Sequence, residues 1–142
     1  MGYDYDENDI LWASLKLRHL IKAKLQNELK SHDITLDQWI ILNMLSKNEE
    51  SNQKKLAEVS YKYRTVITRI LKILEDKGLI ERKKSYHDKR ESLVYLTNKG
   101  KNLYKETSVI MHQNAQEINN YFTDDKREEF KSLLNELIFK LK

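Results

Sequence analysis

Cysteine and proline are both missing from the 142 residues, and glycine occurs only three times. The first absence excludes disulfides, thiol-based redox sensing and Cys-ligated metal. The second means that no helix is interrupted from within. Three glycines leave no Gly-rich phosphate loop, and no Ser/His/Asp grouping or carboxylate pair is visible, so neither an enzyme nor a cofactor is expected. Long apolar runs are missing as well, for none approaches the roughly 18 residues of a membrane span. Met1 to Glu7 is acidic, unlike the basic start of a signal peptide. The expectation is a cytoplasmic protein with no membrane partner. The four histidines, His19, His32, His87 and His112, are dispersed without tight His/Asp/Glu spacing, so no metal site is expected.

What is present is charge and periodicity. With 34% charged and 39% hydrophobic residues, the chain has the profile of one soluble folded domain. Its net charge of +4 is unevenly spread. Ser51 to Arg90 holds twelve Lys/Arg against five acids, a net of +7 that leaves −3 for the remainder. A basic segment mounted on an acidic frame is suited to a polyanion.

Ile10 to Leu29 has the pattern of a long helix. Leu11, Leu15, Leu25 and Leu29 recur at near-heptad spacing, while Ile10, Trp12, Leu17, Leu20 and Ile21 widen the apolar face, enough for two neighbours. Thr35-Leu36-Asp37-Gln38 has the form of a capping box and predicts a second helix, carrying Trp39, Ile40, Ile41, Leu42 and Leu45. Ser51 is placed to cap a short third helix through Leu56, Ala57 and Val59. Val66, Ile67, Ile70, Leu71 and Leu74 give a fourth helix its stripe, and Gly78 stands where a left-handed C-terminal cap is expected. Residues 79–83 and 92–96 are predicted as the strands of a hairpin with 84–91 as a projecting loop. Thr97 is positioned to cap a fifth helix through Leu103, Ile110, Met111, Ile118 and Phe122. Thr123-Asp124-Asp125 opens a sixth, whose stripe is Phe130, Leu133, Leu134, Leu137, Ile138 and Leu141.

A short helix, a polar connection, a second helix and a β-hairpin make a winged helix-turn-helix, so the fold class is mainly α (α+β), six helices plus a wing. The sequence also resembles a known family. Asp88-Lys89-Arg90, five residues, then Leu96-Thr97-Asn98-Lys99-Gly100 is similar to the D-x-R-x(5)-L-T-x-x-G signature of the multiple-antibiotic-resistance regulator (MarR) family. Leu56-Ala57 and Leu74 to Arg82 fit the helical part. The resemblance covers nearly all of the single chain 1–142, with 1–34 and 101–142 as dimerisation helices and 35–100 as the winged DNA-binding region.

The resemblance implies a homodimeric transcription regulator, a repressor on a pseudo-palindromic double-stranded operator, relieved by a small apolar or phenolic effector. It assigns Arg90 to the minor groove and Asp88 as the acid that orients it, which agrees with the negative potential of a narrow minor groove. Arg64, Thr65, Thr68 and Arg69 match recognition-helix contacts to bases and phosphates, and Ser51 a helix N-terminus that donates to phosphate. Lys84 and Lys89 complete the expected DNA face. Trp12, His19, Trp39 and Tyr104 would line the effector pocket between dimer frame and winged region, with membership of the core as the alternative for the three aromatic residues. Two positions depart from the pattern, for Ser60 and Lys62 stand where the family has apolar residues, with Val59, Tyr61 and Tyr63 as substitutes for the packing. His87 replaces an arginine and would titrate near pH 6.5. A winged-helix module that binds another protein and no DNA is the competing function.

Overall fold

A computed structural model describes residues 6, 8–47, 51–60, 62, 64–84 and 92–142. Helix α1 (Ile10–Leu29) passes through one turn of 3-10 helix, Lys30–His32, into α2 (Leu36–Lys47). A two-residue strand β1 (Ser51–Asn52) precedes α3 (Gln53–Ser60) and α4 (Arg64–Asp76). Strands β2 (Ile80–Lys84) and β3 (Ser92–Leu96) follow, then α5 (Asn98–Asn120) and α6 (Asp124–Leu141). This is the winged helix-turn-helix expected from the sequence, with six α-helices among the described residues. The chain clusters into two compact units, Met1–Ser108 and Val109–Lys142. No helix of the described residues is long and apolar enough to cross a membrane.

The helix ends follow from their residues. The capping box before α2 is reciprocal: Gln38 N–H donates to Thr35 Oγ1 and Thr35 N–H to Gln38 Oε1, each at 3.2 Å. Two backbone donors that the helix itself cannot pair are thereby satisfied. At the far end of α4 the chain forms a Schellman motif. Leu79 N–H donates to Leu74 C=O and Gly78 N–H to Glu75 C=O, both at 2.9 Å, with Gly78 at φ +73°. Glycine is needed there because a Cβ is disfavoured in the left-handed region. Leu74 and Leu79, which the motif brings together, are both buried.

The first unit has its core between α2, α3, α4 and the sheet: Ile41, Leu42, Leu45, Leu56, Ile67, Leu71, Leu74 and Val94 are all buried. The stripe of α4 faces inward as expected, Ile67, Ile70, Leu71 and Leu74 burying nearly all of their surface. At about 1.5–3 kcal/mol for each buried aliphatic side chain, this face fixes how α4 is rolled about its axis. The sheet order is β1-β3-β2, antiparallel throughout. Strand β2 lies one residue later than the sequence pattern predicts, from Ile80 to Lys84, with Lys84 paired to Ser92. Strand β1 was not predicted, since Ser51-Asn52 is too short to show alternation. Arg82 Nε lies 3.4 Å from Glu75 Oε2, an ion pair that ties β2 to the last turn of α4.

Strand β3 leads straight into α5 through a joint built by the second half of the signature. Thr97 Oγ1 accepts the Gly100 N–H (3.0 Å), donates to Gly78 C=O (2.6 Å), and Thr97 N–H donates to Leu79 C=O (3.1 Å). Lys99 Nζ donates to Lys77 C=O at 2.8 Å. A Cβ on Gly100 would lie 2.1 Å from the Leu79 oxygen, so the backbones approach as only glycine allows.

In the second unit Thr123 caps α6, its hydroxyl accepting the Lys126 N–H at 3.4 Å, with Asp124 and Asp125 in the first turn. Arg127 donates to Asn119 C=O, Phe122 C=O and Asp124 Oδ1, and Phe122 stacks on Phe130 at 5.5 Å. No residue of α6 is buried. In the first unit, α1 likewise exposes Ile10, Leu11, Leu15 and Leu20 and buries only Leu29.

Candidate nucleic-acid interface

Once α4 has buried its apolar stripe, Arg64, Thr65, Thr68, Arg69 and Lys72 are left on its exposed side. The four residues assigned to DNA contact on this helix therefore share one face. Lys72, one turn beyond Thr68, belongs to the same row and was not singled out. The i+4 step from Thr68 was the signal. Its ammonium donates to Asp76 Oδ1 at 2.9 Å. That hydrogen bond, then the Asp76 charge, raises the ammonium above the ordinary lysine value.

The first turn of α4 is held by α3. Gln53 Nε2 donates to Arg64 C=O at 3.3 Å and to the Thr68 hydroxyl, and Thr68 Oγ1 donates to Arg64 C=O at 2.8 Å. Gln53 escaped the sequence reading because no periodicity connects it with a residue fifteen positions on. The turn between the helices is pinned from α2, for Lys62 Nζ lies 3.1 Å from Asp37 Oδ1, and Lys22 Nζ of α1 3.9 Å from Asp37 Oδ2. Lys62 N–H also donates to Ala57 C=O at 3.3 Å. A lysine in place of a small apolar residue is thus accommodated by a carboxylate on the adjoining helix. Ser60, the other departure, is half-buried, its hydroxyl 3.4 Å from Ala57 C=O. Tyr61 and Tyr63 lie outside the described residues.

The expectation that Ser51 caps α3 is corrected. It is buried in β1 opposite Val94 and does not cap α3. Asn52 does, its Oδ1 accepting the Lys55 N–H at 2.7 Å, so the helix N-terminus begins one residue later. The reason is that Ser51 is consumed by the sheet, and Asn is as good a cap as Ser.

Asp88, Lys89 and Arg90, together with His87, lie outside the described residues. Both feet of their loop are fixed by the Lys84–Ser92 pair. Lys84 is exposed at the end of β2, and the Lys83 ammonium sits 5.2 Å from the centre of the Tyr95 ring. Exposed cations therefore stand on β2, at Lys83 and Lys84, as well as on α4.

Of the four residues expected around an effector, two are in contact with each other and two stand exposed. Trp39 is buried, stacks on Tyr104 at 5.8 Å and donates from Nε1 to Thr107 Oγ1 at 2.9 Å, while Tyr104 Oη donates to Asn43 Oδ1 at 2.8 Å. These contacts fill the space between α2 and α5. Trp12 and His19 are exposed on α1. Two open clefts of about 300 and 640 Å³ lie elsewhere, and both are lined by Asp33 and Lys77.

A MarR-family model matches residues 34–92, the span from the start of α2 to the start of β3. The homoprotocatechuate degradative operon repressor of Escherichia coli is 29% identical over 126 residues, 89% of this chain and 85% of that protein. The HTH-type transcriptional regulator YwoH of Bacillus subtilis is 31% identical over 114 residues, 80% of this chain and 82% of its own length. The crystal structure of a mutant MarR from Escherichia coli complexed with operator DNA superposes with a TM-score of 0.77 at 26% identity, covering 92% of this chain and 99% of that one. Fold, signature and relatives agree: the chain belongs to the MarR family of helix-turn-helix transcriptional regulators.

Proposed function

We propose that this protein is a homodimeric, sequence-specific double-stranded DNA-binding repressor of the cytoplasm. The recognition face of α4 enters the major groove, and Arg90, oriented by Asp88, enters the adjacent minor groove. The observation that carries the reading is the exposed row Arg64, Thr65, Thr68, Arg69 and Lys72, backed by the buried Ile67, Ile70, Leu71 and Leu74 of the same helix. Such a helix offers cations and threonine side chains at the spacing that base edges and phosphates require. The likeness to an operator-bound MarR structure supports it. Dimerisation is supported by the apolar side chains that α1 and α6 leave in water. Leu133 is 57% exposed and Leu11 62%, and several such neighbours on one helix face make a patch that asks for a cover. A small apolar or phenolic effector would relieve repression by preferring a spacing of the two winged regions that misses successive grooves.

The test is selection of a duplex from random oligonucleotides, followed by binding titrations against salt. A pseudo-palindrome with half-sites about 34–36 Å apart is expected. Affinity should fall about a thousandfold between roughly 50 and 200 mM salt as neutralised phosphates release counterions. Arg90→Ala should weaken binding by roughly tenfold to a hundredfold with an unchanged melting temperature. Binding of some other protein with no duplex enriched would establish the interaction-module reading instead.

A further inference from the structure

The amide of Gln53 faces a carbonyl oxygen, that of Arg64, which can only accept. The amide atom turned toward it is therefore the nitrogen, and this fixes the orientation of the whole group. The same nitrogen meets Thr68 Oγ1, so in that pair the threonine is the acceptor. The Thr68 proton is directed back along the helix to Arg64 C=O, the i−4 bond open to a helical threonine. One lone pair and the only donor of the hydroxyl are thus occupied within the chain. Thr68 nevertheless stands exposed in the middle of the recognition row. With Oγ1 turned onto the backbone, the Cγ2 methyl is the group left to face outward.

We propose that Gln53 makes Thr68 an apolar reader: the pair recognises the C5-methyl of one thymine in each half-site, and Gln53 acts as a positioning residue for that contact. In the major groove thymine alone presents a methyl, guanine presents only acceptors, and adenine N7 and thymine O4 also ask for a donor. A hydroxyl without a proton to give gains nothing from those acceptors, whereas its methyl packs against another methyl. The inference rests on the placement of α4 in the major groove proposed above.

The test uses the full-length protein and its selected duplex, with each thymine replaced singly by deoxyuridine, which removes only the C5-methyl. The wild type should lose about threefold to fivefold in affinity at one symmetry-related pair of thymines, the value of one buried methyl group. Thr68→Ser keeps the hydroxyl and lacks the methyl, so its affinity should be indifferent to uracil at those positions. Gln53→Ala frees the Oγ1 lone pair that Gln53 occupies, so an adenine N6 or cytosine N4 donor can be accepted there and the base preference should relax at that pair alone. Both variants should keep the wild-type salt slope, because neither touches phosphate. Identical uracil profiles for wild type and Thr68→Ser would overturn the proposal, as would a Thr68→Ser effect located at an adenine or cytosine. An unaltered base preference in Gln53→Ala would remove Gln53 from it. Enrichment of no duplex at all would instead defeat the DNA-binding reading, and this contact with it.

Discussion

At the scale of single residues, two glycines that look alike in the sequence do different things. Gly78 has a left-handed backbone and open space around it, while Gly100 sits in a helix with the Leu79 oxygen where a side chain would begin. Gly78→Ala should therefore cost about 1–2 kcal/mol, the penalty of a Cβ in that region. Gly100→Ala forces backbone apart and should cost about 3 kcal/mol or more. Urea unfolding of the two variants checks the order, and a smaller loss at Gly100 would contradict the close approach. Gly78 was legible in the sequence, since a cap position is a local matter. The role of Gly100 was not: it belonged to a recognised signature, but the oxygen that demands it lies 21 residues earlier. Half of that signature is a structural joint, and only its first half, Asp88 to Arg90, falls to the proposed groove contact.

At the scale of elements, sequence and structure agree where the determinant is periodic or capped, and part where a distant group decides. The Thr35/Gln38 box and the stripe of α4 are read directly from residue order. Thr35→Ala should lower stability by about 1 kcal/mol through lost capping of α2. The start of α3 was misplaced by one residue because Ser51 pairs with Val94 across the sheet, a partner invisible in local pattern. Lys62 likewise looked like a misfit until Asp37 of α2 appeared beside it. With both side chains partly exposed, Asp37→Asn should cost only about 0.5 kcal/mol and less at high salt. Thermal melts of the variant at two ionic strengths measure this, and an equal loss at both would exclude the ion pair as the cause.

At the scale of the whole molecule, the apolar stripes of α1 and α6 are legible as patterns, whereas what lies against them is not, since periodicity shows which face is apolar and not its neighbour. Within the proposed dimer, Leu133→Asp would bury an unpaired carboxylate and should weaken self-association by roughly a hundredfold. Light scattering should then find single chains at micromolar concentration, and operator affinity should drop with it. A variant that stays dimeric would exclude α6 from the contact. The joint at residues 97–100 has a mechanical corollary. Its threonine, lysine and glycine clasp the corner at 77–79, where α4 ends and the hairpin begins. These contacts tie the opening turn of α5 to both neighbours at once, so a twist applied there is passed to the root of the wing and the tail of α4 together.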